Sequence, residues 1–462
     1  MTAPTGGGEL PLLALPYRQR ALSPWAVSEA ASGVCRILWV LGLEDPPDAA
    51  TARLLRRLGS VVDLGEVARE RRVDALGERG PDGMLVLSDH DMVELAEIAG
   101  ALGLLFNPPG TCRNLTDKAS QRRALAAAGI PTPRSGVVSS ADDRAGASEA
   151  AAATGFPAVL KPQLGGDSRM TFRIADEESL RAVLAGLAAD RLGAAASPFP
   201  MVLEEYLTDA PPALGASFAN YLSVESLVYG PTIDHLATTG RFSPAEPFRE
   251  RGFFIPSTAS GPLEAELLDL ADAAARALGV VAGALHTEIK ITPAGPRVIE
   301  VNGRLGGGIP AMLELASGVS AVRLAMAAAL GGRPSGEGVR SCSAVGYRML
   351  VQGPMWATEV VAVEGLDRVA EIPGVAAVAL HRGPGSAIDW RTGNHDYVFS
   401  VLGVVPDHDA LATLDRTVLD TTSIVYGSDA PRGRDGLGRE GQLARPGDRH
   451  SRGGSADGWR PR

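Results

Sequence analysis

Short apolar runs alternate with amphipathic ones along the first quarter of the chain. "CRILWVLGL", "SVVDL", "DGMLVLSD" and "LLFNPP" read as strands, and "AATARLLRRLG" and "HDMVELAEIAGALG" as the helices between them. Strands and amphipathic helices in alternation predict a parallel α/β domain over 34–112. No GxGxxG follows its first strand, so it is not read as a dinucleotide site. Residues 1–33 are rich in Gly, Pro and Ala without sustained periodicity, and predict a flexible arm.

The pattern then changes. "NLTDKASQRRALAAAGIPTP" predicts a helix with Thr116 or Asp117 as cap, Gly129 as stop and prolines beyond. "GFPAVLKPQLGGDSRMTFRI" predicts a hairpin with strands near Ala158 to Lys161 and Met170 to Ile174, joined by the Gly-rich loop Pro162 to Ser168. "PMVLEEYL" and "FANYLSVESLVYG" are further strands, followed by strand and loop over "PTIDHLATTGRFSPAEPFRERGFFIPS". "LEAELLDLADAAARALGV" and "SAVRLAMAAALGG" are helical. A linker is expected over 332–338, a smaller mixed α/β domain over 341–427, and a disordered Arg/Gly-rich tail over 428–462.

The most polar strand pair lies in "HTEIKITPAGPRVIEVNGRLGGG", from His286 to Gly308. Counting outward from Ala294 in the turn "TPAGP" sets Glu288 opposite Glu300, His286 opposite Asn302 and Lys290 opposite Val298. Alternation puts these on one face, with Thr287, Ile289 and Ile291 opposite Val301, Ile299 and Arg297 on the other. A bulge would shift this register. Two facing carboxylates repel unless a cation lies between them. Oxygen ligands of this kind suit magnesium, which completes its shell with water and substrate phosphates. Asn302, Arg304 and the glycines that open an apolar helix (Ile309 to Ala316) add to the constellation, because helix starts after glycines favour anions.

Composition narrows the function. The chain has 462 residues and a net charge of −10, which argues against a general nucleic-acid binder. Three scattered cysteines, Cys35, Cys112 and Cys342, indicate neither a disulfide framework nor a zinc site and fit a reducing cytoplasm. No apolar run approaches the ~18 residues of a membrane span. "ELPLLALPY" lacks the basic flank of a signal peptide, so a soluble cytoplasmic protein is expected. Of 44 basic residues only Lys118, Lys161 and Lys290 are lysine. A lysine ammonium is a compact point charge and an arginine a planar fork, so the two are not interchangeable at a tight phosphate site. All three lysines fall in segments that read as phosphate or metal machinery.

Together these motifs resemble the ATP-grasp superfamily. The chain is most similar to its carboxylate–amine ligases of the L-amino acid (dipeptide-forming) type, with biotin carboxylase more distant. The resemblance covers residues 34–427. It implies an α/β and α+β architecture: a Rossmann-like pre-ATP-grasp domain, an ATP-grasp domain over 113–335 (small lobe to about 205, large lobe from about 206), and a C-terminal mixed α/β domain. It implies that Lys118 and Lys161 hold ATP phosphates, with Gly165, Gly166 and Ser168 in the lid above them. Glu204 and the backbone at Glu205 and Leu207 would meet adenine. Glu288, Glu300 and Asn302 would bind magnesium or manganese. Arg304, with Gly306 and Gly307, would hold the substrate carboxylate and its phosphorylated form, Arg304 acting catalytically. Lys290 suits either an anion contact or a structural ion pair. Two departures stand out: "GGDSRM" lacks the glycine that many relatives carry after the lid serine, and "ERGFFIPS" has aromatics where relatives often carry polar side chains. The implied reaction forms an acyl phosphate and then an amide from a small-molecule carboxylate and an amine, with no nucleic acid or membrane partner. A homodimer is left open. Biotin carboxylase-like carboxylation and a non-catalytic ATP-binding regulatory protein are the alternatives.

Overall fold

The computed structural model of the chain describes residues 9–19, 22–43, 46–189, 198–332 and 342–428. The first sheet is parallel and comprises β1 (Leu12–Pro16), β2 (Arg36–Leu41), β3 (Ser60–Asp63) and β4 (Gly83–Met84), in the order β3-β2-β1-β4. The expected arm is therefore incorrect from residue 9 onward. β1 is an inner strand with Leu13, Ala14 and Leu15 fully buried, and a helix, Pro24–Ala31, follows it. A strand covered on both faces is a continuous apolar run without alternation, which is why five residues beside prolines showed no period. "LLFNPP" forms no strand among the described residues. Asn107 within it instead uses its side chain as a strand substitute: Nδ2 donates to the Ala282 carbonyl at 2.8 Å, and Oδ1 accepts from Val281 N at 2.8 Å.

The second sheet is antiparallel: β5 (Ser135–Val138), β6 (Ala158–Pro162), β7 (Phe172–Ile174) and β8 (Met201–Glu205), in the order β5-β8-β6-β7. The helix Lys118–Ala127 precedes it, capped by Asp117, whose carboxylate accepts from Ser120 N at 2.9 Å. Of the two expected caps, Asp117 is the one observed; Thr116 ends the preceding helix, Pro109–Thr116.

Five further strands are β9 (Phe218–Tyr229), β10 (Thr232–Phe242), β11 (Gly252–Ile255), β12 (Ala282–Thr292) and β13 (Gly295–Asn302). The C-terminal segment adds β14 (Val345–Gln352), β15 (Glu359–Glu364), β16 (Val375–Leu380), β17 (Ser386–Ala387), β18 (Tyr397–Val405) and β19 (Ser423–Gly427). Only β17-β15-β19 form a sheet of their own. The others continue the large sheet, in the order β13-β12-β9-β10-β11-β14-β18-β16. The segment expected as a separate domain thus shares a sheet with the large lobe, through β11 and β14. Sequence separation hid this, because pairing partners nearly a hundred residues apart leave no local signal. The expected tail and linker lie, except for Ser428 and Gly332, outside the described residues.

The hairpin β12–β13 pairs His286 with Asn302, Thr287 with Val301 and Glu288 with Glu300, as the sequence indicates. A bulge after Glu288 then sets Ile289 opposite Val298 and Lys290 opposite Arg297, so the expected Lys290–Val298 pair does not form. The turn closes between Thr292 and Gly295, tighter than a turn centred on Ala294, and the bulge at Ile299 absorbs the extra residue. Among the described residues no single helix is long and apolar enough to cross a membrane. The apolar helices Ile309–Ser317 and Ala321–Ala329 are core elements, burying Ile309, Met312, Leu313, Val322 and Met326.

Candidate functional site

A cleft of about 1400 Å³ is lined by both antiparallel sheets and the C-terminal segment. Every residue singled out from the sequence for nucleotide, metal or substrate lines it, except Gly306. A Cβ on Gly306 would come within 2.5 Å of His286 Nδ1, so this glycine backs the imidazole and does not reach the cleft.

The small-lobe wall is built on Glu204. Its strand β8 lies between β5 and β6, and its carboxylate is 3% exposed. Lys161, diagonal to it on β6, brings Nζ to 2.8 Å from Oε2. Arg122, from the helix Lys118–Ala127, approaches Oε1 at 3.0 Å without hydrogen-bond alignment and donates to Oε2 at 3.2 Å. Burial works to raise the Glu204 carboxyl, and the Arg122 and Lys161 charges outweigh it, holding the pKa at about 2. The Glu204 side chain thus fixes Lys161 at the cleft wall. Glu205 is held by Arg134 at 3.2 Å and Arg297 at 3.4 Å.

The large-lobe floor carries His286, Glu288 and Lys290 from β12 with Glu300 and Asn302 from β13, joined by Ile299 at the bulge. The two facing glutamates each have their own protein cation: Lys118 Nζ lies 3.2 Å from Glu300, and His286 Nε2 lies 3.3 Å from Glu288. Lys118 Nζ also donates to the Gly165 carbonyl of the lid. Behind Glu288, His286 Nδ1 lies 2.9 Å from the fully buried Glu225, which also accepts from Ser223 at 2.7 Å and Thr239 at 3.0 Å. Burial works to lower the His286 pKa, but Glu225 outweighs it and raises it to about 9. Burial works to raise Glu288, and the His286 hydrogen bond and charge, with Arg241, hold it at about 2. Arg241, 2% exposed, meets Glu250 at 3.3 Å and lies over the Tyr221 and Phe253 rings at 5.1 and 5.2 Å.

Among the described residues no three His, Cys, Asp or Glu side chains are gathered to cage a metal unaided. Two carboxylates and the Asn302 amide share one floor, oxygen donors of the kind that suits a magnesium ion completing its shell with phosphate and water. Arg304 Nε lies 2.7 Å from Asp89 beyond β4; burial opposes its charge, and Asp89, Asp167 and Glu288 outweigh that. Lys290 forms an ion pair with Asp209 at 2.5 Å.

The lid loop between β6 and β7 passes through left-handed backbone at Gly165 (φ 91°), Asp167 (60°), Ser168 (56°) and Met170 (48°). The segment Trp390–Asp396 holds it there: Asn394 N donates to the Asp167 carbonyl at 2.7 Å, Met170 N to the Arg391 carbonyl at 2.9 Å, and His395 pairs with Asp167 at 3.0 Å. Gly393 (φ 75°) abuts the lid so closely that a Cβ would lie 2.0 Å from the Asp167 carbonyl oxygen. Ser168 Oγ donates to the Phe248 carbonyl at 2.9 Å.

Arg122, Glu225, Arg241, Asp89 and the segment Trp390–Asp396 were not legible as site residues. Glu225 and Arg241 did leave a trace, as charges in the middle of otherwise apolar strands. Nothing local marks Gly393.

The chain has the ATP-grasp fold. It superposes on an L-amino acid ligase from Bacillus licheniformis with a TM-score of 0.69 at 21% identity, covering 91% of this chain and 100% of the other. An N5-carboxyaminoimidazole ribonucleotide synthetase from Thermotoga maritima gives 0.62 at 16% identity, covering 90% and 100%. The biotin carboxylase domain of a Hydrogenobacter thermophilus 2-oxoglutarate carboxylase gives 0.60 at 18% identity, covering 91% of each. In sequence, the chain is 30% identical over 322 residues, 68% of its length, to "Uncharacterized protein y4rH" of Sinorhizobium fredii. It spans 63% of that relative's length. No family model matches.

Proposed function

We propose that the chain is an ATP-dependent carboxylate–amine ligase that releases ADP and phosphate. The observation that carries this reading is the meeting of Lys118, Lys161, Glu288, Glu300 and Asn302 around one cleft, from strands and helices far apart in sequence. A carboxylate oxygen of the acid attacks the γ-phosphorus of ATP, and the β–γ bridging bond breaks to give acyl phosphate and ADP. The amine nitrogen then attacks the acyl carbon, phosphate leaves with the electron pair of the C–O bond, and the nitrogen gives up a proton. Lys118 and Lys161 bind the phosphates, and Glu204 keeps Lys161 aimed. Glu288, Glu300 and Asn302 would hold magnesium, which supplies offsetting charge as it develops on phosphate oxygens. Arg304 binds the acid and stabilises the oxyanion of the second step. The lid excludes water from the acyl phosphate. The likeness to the L-amino acid ligase supports an amino acid as the activated acid.

The test is ADP and phosphate release by the full chain with ATP, magnesium and pools of amino acids and amines. The expected result is equimolar release that requires both an acid and an amine, with a product whose mass equals theirs less one water. Release that depends on bicarbonate and biotin would replace this reading with carboxylation. Tight ATP binding without release under any pool would leave a regulatory nucleotide-binding protein.

A further inference from the structure

Three arginines lining the cleft are matched to a carboxylate: Arg241 to Glu250 at 3.3 Å, Arg304 to Asp89 at 2.7 Å and Arg382 to Asp396 at 2.7 Å. Arg169, on the lid, is exposed, where water solvates it. Arg348 differs. It stands half-buried on β14, lines the cleft, and has no carboxylate within ion-pair distance among the described residues. Its polar contact there is a hydrogen bond from Nη2 to the Tyr397 hydroxyl at 3.2 Å, with the guanidinium 6.0 Å from that ring's centre.

The surroundings make room for this cation and add to its charge. Gly308 takes a left-handed φ of 78°, and a Cβ on it would lie 3.1 Å from Arg348 Nη1 and 3.1 Å from the Phe253 ring. The guanidinium therefore lies against the turn that leads from Arg304 into the helix Ile309–Ser317. The Tyr397 ring, in turn, stands 4.5 Å from the ring of His381. Burial, then the Arg348 and Arg382 charges, push the His381 pKa down. Elsewhere the cleft is acidic, with Glu250, Glu288, Glu300 and Asp167 along it. A partly desolvated guanidinium without a counter-ion is unfavourable. Its planar fork matches a carboxylate or a phosphate.

We propose that Arg348, with the Tyr397 hydroxyl beside it, binds an anionic group carried by the amine substrate, a carboxylate or a phosphate. This rests on the ligase reading above. There, the ATP phosphates fall to Lys118 and Lys161 and the reacting acid to Arg304, so the second substrate is the reactant left without an anchor. An amine must keep its nitrogen free to attack, so a remote anion is the handle by which the protein can orient it. Arg348 packs against Gly308, four residues beyond Arg304, which sets that handle beside the acyl group.

The test is calorimetric titration of the full chain, saturated with ADP and magnesium, using two matched pairs: L-alanine against L-alaninamide, and O-phosphoethanolamine against ethanolamine. The anionic member of one pair binds at least about tenfold more tightly than its neutral partner, the size expected of charge-assisted hydrogen bonds. Arg348→Met removes that preference, while ADP affinity, which reports an intact cleft, moves less than about twofold. Arg348→Lys keeps the charge but not the fork and retains only part of the preference; it carries the test if Arg348→Met does not fold. The pair that discriminates identifies the anion. Equal binding within both pairs, or a preference that survives in Arg348→Met (or is unchanged in Arg348→Lys), overturns the proposal. A preference that depends on Arg348 without any ADP release when acids are added keeps the anion site and removes the ligase reading instead.

Discussion

Replacing Glu204 with Gln removes one negative charge from between two buried cations and keeps the side chain's shape. Lys161 lies 2.8 Å and Arg122 3.0 Å from that carboxylate. Its pKa, ordinarily 4.5, is about 2 in the folded protein, where burial works against ionisation and the two cations outweigh it. A depression of this size corresponds to roughly 3 kcal/mol of stability. Losing one partner of a buried ion pair costs about 3–5 kcal/mol, so the two routes agree. Because the folded value lies below the unfolded one, the contribution is fully present above pH 4.5 and is lost as the pH falls towards about 2. Urea denaturation of wild type and Glu204→Gln, in parallel from neutral pH downward, measures it. The gap between them should be about 3 kcal/mol at neutral pH and should close on acidification, since a protonated Glu204 resembles glutamine. Other buried carboxylates titrate in both proteins and cancel in the difference. A neutral-pH gap below about 1 kcal/mol, the level of an exposed pair, would refute the reasoning, and so would a gap that does not narrow.

Glu300→Gln should abolish ADP release; near-normal turnover at ordinary magnesium would remove Glu300 from the metal site. Glu288→Gln should behave similarly, with partial rescue by manganese. Lys118→Arg and Lys161→Arg should each lower kcat/KM for ATP at least about tenfold despite keeping the charge, because a fork cannot occupy the place of a point charge between phosphate oxygens; wild-type kinetics would mean that the scarcity of lysine carries no functional meaning. Gly393→Ala adds a methyl group 2.0 Å from the Asp167 carbonyl oxygen, at a left-handed φ. It should release the lid, seen as faster tryptic cleavage after Arg169 and a higher KM for ATP, and unchanged cleavage would show that the contact does not hold the loop.

The floor of the cleft was legible because it is local. A hairpin of fewer than twenty residues carries Glu288, Glu300 and Asn302, and alternation alone put them on one face. Even there the bulge at Ile299 changed the pairing of Lys290, since a tight turn and its compensation leave no compositional mark. The lysines stood out through contrast with the arginines around them, and all three line the cleft. What stayed hidden is what depends on tertiary pairing. β1 looked like an arm because an inner strand of a parallel sheet has no polar face. Glu225 backs His286 through strand neighbours sixty residues apart, and Arg122 reaches Glu204 from another element. The lid's partner, Trp390–Asp396, follows it by more than two hundred residues, and the residues that fix it do so largely through their backbone.

The continuity of the large sheet across β11 and β14 bears on how this protein can be cut. A fragment ending before β14 would leave β11 as an open edge, with the Gly252–Ile255 backbone unpaired on one side. Phe242 and Phe254 would lose the cover of Tyr347, Val401 and Leu411, which share their core. An exposed, apolar edge strand is a template for self-association. Fragments divided at that boundary should therefore be recovered as aggregates, and the large lobe cannot be exchanged between relatives as a cassette unless β14, β18 and β16 travel with it.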